Sequence, residues 1–109
     1  MKTTMTKKRS PTAKVMTAIL TPRPGHGAEL LQMLEGLRTA IGGSKGCLEC
    51  LVARDVSGQR YVLLSSWTDA RSLDAHLQSE HFGILRGAAD VLGTQTDLRF
   101  FAGDEAVGS

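Results

Sequence analysis

The stretch Arg60-Tyr-Val-Leu-Leu-Ser-Ser-Trp67 constrains this chain more than any other. It reads as a β-strand, in which successive side chains point to opposite faces. Val62 and Leu64 fall on one face, and Tyr61, Leu63 and Trp67 on the other. Both faces are largely apolar, so a sheet built around this strand needs cover on both sides. Directly after the indole, Thr68-Asp-Ala-Arg-Ser-Leu-Asp-Ala-His76-Leu opens with acid and turn-forming residues and predicts a helix. A polar break at Gln78-Ser79-Glu80 precedes a second helical run from about Phe82 to Leu92.

The rest of the chain supplies further strands and one more helix. Val15 to Leu20 alternates as a strand, and Thr21-Pro-Arg-Pro-Gly25 stops it. Leu30, Leu34, Leu37 and Ile41 recur at helical steps, which predicts a helix from about Gly27 to Ile41. Gly42-Gly43 is the expected stop, because glycine takes a left-handed conformation at low cost. Cys47 to Val56 reads as the second strand, joined to Arg60–Trp67 by the hairpin turn Ser57-Gly58-Gln59. Thr94 to Phe101 is the fourth strand. The order β-α-β-β-α-β predicts an α+β, ferredoxin-like fold: a four-stranded antiparallel sheet with two helices on one face. The bare face needs a ligand or a partner, and a second copy packed sheet to sheet is the economical cover.

At 109 residues the chain is one domain. Its formal charge of +2 hides an asymmetry. Lys2, Lys7, Lys8, Arg9 and Lys14 cluster at the start, and the remainder carries 8 basic against 11 acidic groups. The expected organisation is a disordered basic tail over residues 1–13, a folded domain over 14–102, and a disordered tail over 103–109. Nothing in the mildly acidic body argues for nucleic acid. No apolar run approaches the ~18 residues that span a membrane, and none follows the basic start as in a signal peptide. A cytoplasmic location is the expectation.

Several residues could carry chemistry. Cys47-Leu-Glu-Cys50 has redox or metal spacing, but i and i+3 on a regular strand face opposite ways, so the sulfurs are not expected to meet. His26 sits in a glycine-rich turn and reads as surface; His81 reads as half-exposed at the helical break. His76, one turn beyond Leu73 at the edge of the apolar stripe, is placed to be only partly wetted. Its ordinary pKa of about 6.5 suits a proton acceptor. Trp67 offers a flat wall for an aromatic ligand. Arg86, among Leu85, Gly87 and Ala88, is either a surface charge or an anion holder.

The segment Trp67…Asp69…Leu73…His76…Ser79…His81-Phe82 resembles the W-x-[DE]-x-x-x-L-x-x-H-x-x-[ST]-x-H-F pattern of the antibiotic biosynthesis monooxygenase family. Pro24-Gly25 and Gly46-Cys47-Leu48 are similar to two further marks of that family, and the resemblance spans roughly residues 14 to 101. It implies a dimeric α+β barrel, in which two ferredoxin-like copies pair.

The resemblance also implies a chemistry. One branch of the family oxidises anthrones with neither metal nor flavin: a polyphenol is deprotonated in a pocket and its anion meets O₂. Trp67 and Arg86 match that branch's tryptophan and arginine, whereas Leu63 and Leu73 stand where it has asparagine and tyrosine. The haem-degrading branch does not match. Its first-strand asparagine falls at Ala18, its tryptophan at His76 and its histidine at Arg86. Quinol-oxidising members often carry glutamate two residues before the tryptophan, where this chain has Ser65. The implied function is a cofactor-independent monooxygenase acting on a small quinol-like aromatic and O₂, with no metal. His76 would take the proton, Arg86 would hold the oxyanion, and Trp67, Leu63, Leu73 and Ser65 would line the substrate site. The rival readings are a non-catalytic ligand-binding or sensory barrel and a small-metabolite isomerase.

Overall fold

In the computed structural model, which describes residues 12–102, strand β1 (Lys14–Pro22) runs at the centre of one antiparallel sheet. Helix α1 (Gly27–Gly42) follows it, then the hairpin of β2 (Cys47–Arg54) and β3 (Tyr61–Trp67). Helices α2 (Ala70–Leu77) and α3 (Glu80–Leu92) lead into β4 (Gly93–Ala102). The strand order β2-β3-β1-β4 is the expected ferredoxin-like arrangement, with the second helical region divided in two. The anticipated tails lie outside the described residues, except for positions 12 and 13. No helix of the described residues is long and apolar enough to cross a membrane.

The core lies between the sheet and the helices. Met16, Ala18 and Leu20 of β1 face Tyr61, Leu63 and Trp67 of β3 and the α1 stripe Leu30, Leu34, Leu37 and Ile41. Leu73 from α2 and Phe82, Leu85, Ala88 and Leu92 from α3 close it. Every second residue of β3 is buried, as its alternation requires. On the opposite face, the register aligns Leu51 with Leu64, Thr17 with Leu64, and Val15 with Phe101. No helix of the described residues covers that side. Phe101 is exposed there, while Leu98 and Phe100 are exposed on the helix side of edge strand β4.

Three local expectations need correction. β1 continues through Thr21 to Pro22, because edge strand β4 pairs with it through a register shift, Thr21 with Gln95 and Pro22 with Gly93; a proline at the end of a strand costs little. Gly43 ends α1 at φ −88°, not in the left-handed region. Its N–H bonds the Ala40 carbonyl, so the helix tightens into its last turn. In the connection from α1 to β2 the left-handed residue is Gly46 (φ +84°), whose carbonyl accepts from the Thr68 N–H at 2.9 Å. A side chain at Gly46 would meet Ser72 of α2, with Cβ to Cβ at 2.6 Å. Gly46→Ala is therefore expected to cost about 2–3 kcal/mol, from the left-handed backbone plus the displaced α2 turn. A urea midpoint within error of wild type would contradict this.

The third correction concerns β2. Cys47 pairs with Trp67, Glu49 with Ser66 and Cys50 with Ser65, so Leu48 is skipped in a bulge. The extra residue cancels the alternation expected between i and i+3. Both cysteines face the helices and pack against the core as free thiols.

Candidate functional site

β3 ends on Trp67, and the chain turns into α2 within two residues. Asp69 caps the helix, its side chain accepting from the Ser72 N–H at 2.9 Å. This tight turn brings α2 back over the end of the strand from which it left. Leu73 and His76, three apart, form the inward stripe of α2. His76 consequently lies on the indole, with ring centroids 4.6 Å apart and planes 23° apart.

Ser79 holds the next element in place. Its hydroxyl donates to the His76 carbonyl at 2.7 Å and accepts from the Phe82 N–H at 3.2 Å, joining the end of α2 to the start of α3. Because Ser79 caps α3, that helix starts at Glu80, about two residues before the expected position. Phe82 then meets His76 edge-on, at 5.7 Å and 68°. Sequence reasoning noted Phe82 in the motif but missed it as the second wall of the imidazole; the capping serine three residues ahead was the available signal.

Ser65 and Trp67 sit on the same face of β3, two residues apart. The indole N–H donates to Ser65 Oγ at 2.9 Å, with both residues fully buried. This bond satisfies the indole and fixes its plane, and with it the surface against which His76 lies. Leu63 continues the buried face one step further along β3.

His76 is 4% exposed, and its Nε2 is buried with no hydrogen-bond partner among the described residues. Burial lowers the imidazole pKa, and the nearby His81 lowers it further. The neutral ring therefore predominates at neutral pH. An unpaired buried nitrogen is costly in a folded protein.

Five of the six expected site residues, Leu63, Ser65, Trp67, Leu73 and His76, belong to the buried layer between sheet and helices. Arg86 does not join them. It follows Leu85 by one position, about 100° further around the helix, and is exposed. His26 is at the surface, paired with Glu29 at 3.0 Å, as expected. No group of three or more His, Cys, Asp or Glu able to hold a metal occurs among the described residues.

The lowered His76 pKa has a consequence for stability. The unfolded chain takes up a proton near the ordinary histidine pKa of about 6.5, while the folded chain resists it. Stability is thus fully present above about pH 6.5 and falls as the pH drops below it towards the depressed folded value. Urea midpoints measured from pH 7.5 to 5 should decline in wild type and decline less in His76→Phe. Parallel curves would show that His76 does not titrate differently on folding.

The family model for antibiotic biosynthesis monooxygenase matches residues 14–85. No curated protein matches the chain. Among solved structures, Rv0793 from Mycobacterium tuberculosis is 25% identical with a TM-score of 0.79, covering 87% of this chain and 99% of that one. A candidate antibiotic biosynthesis monooxygenase from Deinococcus radiodurans is 20% identical with a TM-score of 0.76, covering 84% and 93%. A point mutant of SnoaB, a cofactor-independent oxygenase from Streptomyces nogalater, is 17% identical with a TM-score of 0.74, covering 90% and 99%. The matched segment runs from β1 into α3 and contains Ser65, Trp67, His76 and Phe82, so this chain belongs to the antibiotic biosynthesis monooxygenase family.

Proposed function

We propose that the protein is a cofactor-independent monooxygenase acting on a small, electron-rich aromatic of the hydroquinone or polyphenol class. The observation that carries this reading is the unpartnered, buried Nε2 of His76, held between Trp67 and Phe82. A neutral imidazole with a free lone pair accepts a phenolic proton, and its flat neighbours suit an aromatic ring. The resulting anion donates electrons to O₂. One oxygen atom enters the substrate and the other leaves as water, the substrate itself supplying the reducing electrons.

Arg86 has no part in this reading of the protomer. Ser65 is the better-placed donor to the developing oxyanion, because its Oγ accepts from the indole and its own proton remains available. The protein works as a homodimer, with the second copy covering the apolar sheet face that carries Leu51, Val62, Leu64 and Phe101.

The test is oxygen-electrode measurement with a panel of hydroquinones and anthrones, on protein of mass determined by light scattering. Stoichiometric O₂ consumption by a dimer, with an oxygenated product, is expected. Tight binding with no O₂ consumption would assign a ligand-binding barrel instead. Turnover that persists under nitrogen would assign an isomerase.

A further inference from the structure

The bulge at Leu48 does more than bend an edge strand. Cys47 and Cys50 pair with Trp67 and Ser65, which are two residues apart on β3. Two such positions on one face are separated by about 6.5–7 Å. Neighbouring groups leave this pair approachable. Both thiols are only partly buried, and a Cβ placed at Gly42 of α1 would lie 3.9 Å from the Cys50 Cβ, so a glycine stands where any other residue would add a side chain.

We propose that Cys47 and Cys50 form a two-thiolate site for a soft monovalent ion of the copper(I) class. A disulfide wants Cβ atoms about 3.5–4.5 Å apart, and these two cysteines stand as free thiols. An ion bonded to each sulfur at about 2.3 Å instead needs sulfurs roughly 4–4.5 Å apart, which two side chains leaning together can reach. Zinc is a poor fit, since it takes four ligands and no group of three or more candidate ligands occurs among the described residues. Magnesium and calcium want oxygen. A soft ion satisfied by two thiolates fits the donor set.

Binding is redox-neutral. Two S–H bonds release their protons to water, two metal–sulfur bonds form, and no electron moves. Before binding, the thiols are quiet. Burial pushes both up, Cys50 to about 11 with its neighbour Cys47 adding to the effect, while the Arg38 charge on α1 opposes it. Arg38 would likewise favour the bis-thiolate complex, which carries one negative charge, while the Glu49 carboxylate between the two cysteines opposes it.

The site sits beside a built-in reporter, because Cys47 is opposite Trp67 in the ladder and the chain has one tryptophan. The experiment is an anaerobic titration of reduced full-length protein with copper(I) supplied as its acetonitrile complex, against a bicinchoninate competitor. One ion per chain is expected, with quenching of Trp67 emission complete at one equivalent. Cys47→Ser and Cys50→Ser should each weaken binding by about a hundredfold or more, with unchanged far-UV circular dichroism. Either serine variant holding copper(I) within about threefold of wild type would overturn the proposal, as would saturation at two ions per chain.

Discussion

Trp67→Ala is expected to lower stability by about 3–5 kcal/mol, the range for removing a large buried aromatic. Trp67 is 1% exposed and reaches three parts of the structure at once. It packs in the core, stacks on His76 of α2, and donates to Ser65 of its own strand. Removing it opens a cavity, takes the stacking partner from an imidazole with an already unpaired nitrogen, and leaves Ser65 Oγ buried without a donor. Trp67→Phe keeps most of the ring and should cost about 1–2 kcal/mol, chiefly through the lost hydrogen bond. Urea unfolding followed by far-UV circular dichroism measures both. An alanine variant within about 1 kcal/mol of wild type would show that the indole does not hold strand and helices together.

The reasons that Trp67 and His76 could be read from sequence, and others could not, are physical. The alternation of β3 is a property of one strand, so it marks Leu63, Ser65 and Trp67 as one face before any partner is known. The α1 stripe is equally local. Pairing is not. The Leu48 bulge exists only relative to β3, so it left no trace in the cysteine spacing, and the expectation that the two sulfurs point apart failed. The left-handed glycine was misplaced for a similar reason. Gly43 can close α1 in an ordinary conformation, whereas Gly46 must leave room for Ser72, a residue distant in sequence. Arg86 shows a third limit. A match to a family position names a residue type without fixing its rotation about the helix, and the buried stripe of Phe82, Leu85, Ala88 and Leu92 turns it outward in the protomer. The Trp67–His76 stack was only half legible. The motif spacing suggested a shared site, but the contact itself depends on the two-residue turn capped by Asp69.

His76→Phe should separate the fold from the chemistry. The substitution keeps a ring between Trp67 and Phe82 and deletes the buried nitrogen that lacks a partner. Replacing an unsatisfied polar group with an apolar one of similar shape is neutral or stabilising, so the variant should be at least as stable as wild type near pH 7, to within about 1 kcal/mol. Its O₂ consumption should nevertheless fall by about 10²–10⁴-fold, the usual contribution of a positioned base. In wild type, activity should decline on the acid side as His76 becomes protonated. Because burial holds that group below its ordinary value, the decline should fall below about pH 6.5. A stable variant that still turns over at the wild-type rate would leave His76 as a core residue and move the base elsewhere. A variant that loses activity only because it unfolds would show the loss in circular dichroism as well. Only inactivity in a folded chain, joined to an acid limb that disappears with the imidazole, assigns the proton to this nitrogen.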